Sequence, residues 1–201
     1  MASQDITPRQ WATSLIKSIP PAGANAAQVA NPLQDLPSDG RNILLTLYAL
    51  FEKELLPALD LLDRNLVSRL RVTCSAGVAE QAEQVDGKPG FYLVRSAQQH
   101  NHRNPNYEHV NYYEVRLEAW SCSCPAFTFS AFPATDYETD AQHSEHMPQL
   151  IGGLTLGEDM PVCKHLLACV LIEHCSVFAH FVHEKVVSLE ELAGWSAGWG
   201  D

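Results

Sequence analysis

From Arg41 onward the apolar positions recur at helical spacing. In "RNILLTLYALFEKELLPALDLLDRN", Ile43, Leu44, Leu47, Leu50, Phe51, Leu55 and Leu62 fall near a 3.6-residue period, which predicts a helix or helix pair. Ser38 or Asp39 is suited to cap its start, and Pro57 should end or bend it around Leu55 and Leu56. The period then changes to two. "LVSRLRVTC" from Leu66, the apolar-aromatic run "GFYLVRSA" from Gly90 and "YYEVRLEAWSC" from Tyr112 predict strands, the last two joined as a hairpin by a polar loop. "VCKHLLACVLIEHC" is almost continuously apolar and predicts a central helix. "HEKVVSLEELAGWSAGWG", from His183, predicts a short helix with Ser188 as cap and Glu191 as its capping-box partner, followed by a Trp-containing tail.

Two stretches lack such a period. Residues 20 to 40, "PPAGANAAQVANPLQDLPSDG", read as a loop or linker after a short helix at 8 to 19. Residues 125 to 161 hold Pro125, Pro133, Pro148, Pro161 and the pair Gly152 and Gly153, and read as a long irregular insertion. A loop of that length is tolerated where something clamps both ends. The expected organisation is an N-terminal segment, 1–40, partly flexible, and a single α+β domain, 41–201. In it, a small antiparallel sheet carries a strand-strand-helix unit packed with N-terminal and C-terminal helices. At 201 residues and 46% hydrophobic, the chain can bury one sizeable core.

Charge narrows the function classes. A net charge of -11 argues against a broad nucleic-acid-gripping surface. Asp136, Glu138, Asp140, Glu145, Glu158 and Asp159 lie between residues 125 and 162 without a Lys or Arg, whereas Arg64, Arg69, Arg71 and Arg95 leave room for a local basic patch. No apolar run approaches a membrane span and "MASQDITPRQW" has no signal-peptide character, so the expectation is a soluble intracellular protein with no membrane partner. In a reducing compartment, closely spaced cysteines read as metal ligands or reactive thiols.

Those cysteines stand in two loci. "WSCSCPAF" places Cys122 and Cys124 two strand positions apart, so both side chains can point to one side. "MPVCKHLLACVL" places Cys163 and His165 two residues apart. That spacing turns through about 200° inside a helix, so they converge only if Cys163 precedes or opens the first turn, which Pro161 is placed to start. Three thiolates and an imidazole make a full tetrahedral set for Zn(2+), with no position left for water or substrate. Cys169 and Cys175 read as core fillers, Cys169 being the substitute ligand one turn beyond His165, and Cys74 as buried and inert. His143 and His146 could form a second, weak metal pair but read rather as a solvated loop, and Lys164 reads as a solvated charge that favours neighbouring thiolates.

Cys122-x-Cys124, a long gap and Cys163-x-His165 resemble the SWIM-type zinc finger. "CKHLLA", with Ala168 three residues after His165, is similar to the narrower form in the SWIM subunit of the Shu complex. The resemblance covers mainly residues 90 to 175, and the long acidic insertion departs from it. It implies a strand-strand-helix module in which the four residues bind zinc and Ala168 permits close packing. It further implies a nuclear, noncatalytic adaptor in homologous recombination. Such a subunit partners a RecA-like ATPase recombinase paralogue and supports the main recombinase on single-stranded DNA, with most DNA contact made by the partner. The tail tryptophans and the outer side of helix 41 to 56 are the expected partner surface.

Two other classes compete. A SWIM module of another nuclear complex, or one that binds DNA directly through the arginine patch, would show a steep salt dependence. An enzyme would use Cys122 or Cys163 as nucleophile with His165 as base, or Cys-x-Cys as a redox pair. No orienting acid is identifiable, metal ligation would consume the thiolates, and there is no "GxxxxGK[ST]" loop, so no enzyme and no small-molecule substrate is expected.

Overall fold

The computed structural model describes residues 8–21, 33, 36–72, 91–97, 111–132, 151–152 and 160–198. Their elements run α1 (Pro8–Lys17), α2 (Ser38–Leu50), α3 (Leu55–Asp63), β1 (Val67–Val72), β2 (Phe91–Arg95), β3 (Tyr112–Arg116), β4 (Ser121–Cys122), α4 (Pro125–Ala131), α5 (Lys164–His174), β5 (Val182–Val187) and α6 (Leu189–Ser196), with a 3-10 helix at Ser176–Phe181. The strands form one sheet in the order β4-β3-β2-β1-β5. All pairs are antiparallel except β1 with β5, which run parallel from Val67↔Val182 to Val72↔Val187. The fold is α+β, as the pattern implies, but the sheet is mixed. β5 was hidden because it is an edge strand whose His183, Glu184, Lys185 and Val186 are all exposed, leaving no two-residue alternation.

Alternation of side chains across the strands creates two unequal faces. Val67, Tyr92, Val94 and Val115 join the main core with α1, α3 and α5. Leu70, Phe91, Leu93 and Val187 form a second cluster covered by Leu192 and Trp195 of α6. Central α5 buries every residue from His165 to Ile172, which explains its almost continuous apolar run.

Four local expectations need correction. The helical stretch breaks at Phe51, not at Pro57. Pro57 is the third residue of α3, where its missing N–H would have had no partner, and the Ala58 N–H resumes the ladder to the Glu54 carbonyl. α2 begins at Ser38 with Pro37 in the cap position, so neither Ser38 nor Asp39 caps it. The strand from Tyr112 does not run on to Cys122: it stops at Arg116, turns through Leu117–Trp120 and returns as β4. The start of the acidic insertion is helix α4, with Pro125 in the first turn. Residues 133–150 and 153–159 of that insertion, with His143 and His146, lie outside the described residues, as do Cys74, Trp199 and most of the 20–40 linker. The linker's end packs, with Gly40 buried beside Pro20 and Leu36.

Among the described residues no helix is long and apolar enough to cross a membrane.

Candidate metal centre

The β3–β4 turn delivers the first two cysteines. Trp120 takes a positive φ of 46°, reversing the chain so that Cys122 pairs with Val115. Beyond β4 the pairing continues through Ser123, whose N–H donates to the Glu114 carbonyl at 3.0 Å while its Oγ accepts the Glu114 N–H at 2.9 Å. Ser123 is thus committed to the neighbouring strand, leaving Cys122 and Cys124 on either side of it directed to the interior. Cys124 then caps α4, its sulfur accepting the Phe127 N–H at 3.3 Å.

The second locus repeats the device. Cys163 is the cap of α5 and its sulfur accepts the Leu166 N–H at 3.5 Å. Pro161 is not the first residue of this helix, as the sequence suggested: it lies upstream, and its carbonyl accepts the Trp120 indole N–H at 2.7 Å, tying hairpin turn to helix start. His165, in the first turn, is buried against Tyr113 with ring centroids 4.5 Å apart. Two helix N-termini therefore point at two of the sulfurs, where the dipole and free N–H groups favour thiolate.

Ligand atoms of Cys122, Cys124, Cys163 and His165 all lie within 4.8 Å of one another, and all four residues are buried. The His165 Nδ1 is 3.8 Å from the Cys122 sulfur. Bonds of about 2.3 Å to sulfur and 2.0 Å to nitrogen in a tetrahedron place ligand atoms roughly 3.5 to 3.8 Å apart. The group is thus a buried Cys3His cluster geometrically suited to hold a metal ion. The electrostatics agree with that fit. Hydrogen bonds from Cys122 and then Cys163 hold Cys124 well below the ordinary thiol range, as the favoured anion. Cys122 is pushed far up by its hydrogen bonds to Cys124 and Cys163 and by burial. Cys163 is pulled down by its hydrogen bond with Cys122, yet Cys124 and burial prevail and lift it to about 11. One negative charge is accommodated by shared protons; three require a cation in their place. The His165 Nε2 is buried without a hydrogen-bond partner among the described residues.

The remaining cysteines fall elsewhere. Cys169 lies one turn beyond His165, is fully buried and is outside the four-residue group, with burial first among the causes that raise its thiol pKa. Cys175 closes α5. None of the five described cysteines is in a disulfide. Ala168 is fully buried and Lys164 partly exposed. Sequence reasoning missed Tyr113, Trp120 and the double capping by cysteine; the Cys-Pro step ahead of "AFTFSA" is the one signal that marked α4.

Comparison with protein-family models gives no match, and comparison with curated proteins gives none.

Proposed function

We propose that this chain is a noncatalytic zinc-binding adaptor of the SWIM type, acting in the nucleus as the partner of a RecA-like recombinase paralogue in homologous recombination. The observation that carries the reading is the closed Cys3His cluster at the meeting point of hairpin end and helix start. Its Cys-x-Cys and Cys-x-His spacing matches the SWIM pattern. Four protein donors fill a tetrahedral shell, which favours a structural ion over one that activates water. Zinc there supplies folding energy by joining β4 to α5.

Direct DNA binding through the arginine patch is the weaker reading. Arg69 is held by Glu173 and Glu184, both at 3.0 Å, Arg71 by Glu184 at 2.8 Å, and Arg64 by Asp60 at 3.4 Å. Three of the four arginines are thus engaged with carboxylates, and exposing them to phosphate would require breaking those pairs.

Co-expression with RecA-like ATPase paralogues tests the proposal. The expected result is a complex that survives gel filtration and disappears in the Cys163→Ala variant. A folded, zinc-loaded chain that recovers no such paralogue, but binds single-stranded DNA with a steep salt dependence, would contradict it.

A further inference from the structure

His165 presents one ring nitrogen to the cysteines and buries the other. Its Nδ1 lies 3.8 Å from the Cys122 sulfur, as two ligand atoms of one tetrahedral ion should. Its Nε2 is buried with no hydrogen-bond partner among the described residues, and the residue as a whole is only 3% exposed. A neutral imidazole that binds metal through Nδ1 keeps its proton on Nε2. In metal sites that N–H is ordinarily given to a carboxylate, a carbonyl or water, and the bond fixes the ring. Among the described residues no hydrogen bond from Nε2 does so here.

Packing is what remains to hold the ring. Rotation about χ2 of a histidine is broad and roughly two-fold, and a half-turn would exchange Nδ1 for a carbon atom. A buried N–H without an acceptor also costs free energy that water would recover, so an unrestrained ring would turn outward. Tyr113 stands against both movements: its ring centroid is 4.5 Å from that of His165, with the two planes 34° apart.

The sheet places Tyr113 for this. It pairs with Val94 of β2 and stands two residues before Val115 on β3, so both side chains face the main core. Val115 is in turn the residue that pairs with Cys122. One strand thus sets two ligands, Cys122 through its backbone and His165 through a ring. Resting on the zinc reading of this cluster, we infer that Tyr113 is a positioning residue: its ring, in place of the usual hydrogen bond, holds His165 with Nδ1 toward the metal. The contact is ring to ring, so phenylalanine serves as well as tyrosine.

NMR on the full chain, loaded with a spin-active cadmium isotope and labelled with heavy nitrogen at histidine, tests this. Wild type should show cadmium–nitrogen coupling at His165 Nδ1 and a proton on Nε2. Tyr113→Phe should keep both coupling and affinity. Tyr113→Leu, apolar but without the flat face, should lose the coupling and bind cadmium about ten- to a hundredfold more weakly, as when a ligand's orienting partner is removed. Trp195→Ala, which loosens the second cluster, should keep the coupling, and this separates positioning from a general loss of stability. Coupling at Nε2 instead, unchanged coupling and affinity in Tyr113→Leu, or lost coupling in Tyr113→Phe would overturn the inference and leave the metal site standing. A wild-type chain that binds no cadmium, or binds it without coupling to either His165 nitrogen, would overturn the zinc reading and the inference together.

Discussion

Cys175 shows how burial alone sets a residue's chemistry. It sits between the last turn of α5 and the 3-10 helix, with its sulfur 3.8 Å from the Ile16 carbonyl, and burial pushes its thiol up to about 12. The unfolded chain ionises this thiol from about pH 9, whereas the folded chain keeps its proton. Above that point the folded state binds more protons, so stability must fall as pH rises toward 12, by up to about 1.4 kcal/mol per pH unit for such a thiol. Denaturant midpoints measured from pH 8 to 11 should decline, and Cys175→Ala should flatten its share of the slope while leaving bound metal unchanged. The four ligand candidates were legible as residues because spacing alone put two donors at each locus. Tyr113 and Trp120 were not, since their roles depend on a reversal of the chain that only the positive φ at Trp120 creates.

Elements were readable where apolar residues run together or recur with a period, and unreadable where exposed residues interrupt that pattern. α5 and β2 announce themselves by long apolar runs, while β5 and α4 do not: four successive residues of β5 are exposed, and α4 exposes both Phe129 and, just past its end, Phe132. α6 illustrates the intermediate case. Ser188 caps it as its sequence implies, its Oγ accepting the Glu191 N–H at 3.1 Å, but the Glu191 carboxylate turns instead to Lys185. The tail tryptophan expected at a partner surface is largely used internally: Trp195 packs on the second cluster, meets Tyr112 edge-on at 5.7 Å and lies under the Lys185 ammonium. Trp195→Ala should therefore cost about 2 to 3 kcal/mol, less than a fully buried Trp. It should increase hydrogen exchange in Leu70, Phe91 and Leu93, measured by mass spectrometry, without loss of metal. An unchanged stability would mean that α6 does not hold the second cluster.

At the scale of the molecule, the Cys3His cluster joins parts distant in sequence. Cys122 and Cys124 arrive on a hairpin, Cys163 and His165 on the central helix, and Trp120 bridges the two through Pro161. The ion is thus expected to be part of the fold, since its ligands are assembled only in the native chain. Chelation should loosen α5 and the β3–β4 hairpin together in a circular dichroism and fluorescence titration, with recovery on adding zinc. The α+β class, with β2, β3 and α5, was visible in the pattern of periods, whereas the β3–β4 hairpin that carries the two cysteines was not. The parallel β1–β5 pair was not, because the order of strands in a sheet is set by long-range packing rather than by any local run.

Elemental analysis of the purified chain shows whether the Cys3His cluster is a closed structural zinc site. One zinc per chain is predicted, retained in Cys175→Ala and lost in Cys163→Ala. Correctly folded wild-type protein without zinc, or a Cys163→Ala variant that keeps the metal at full stoichiometry, would mean that these four residues do not form a structural zinc site.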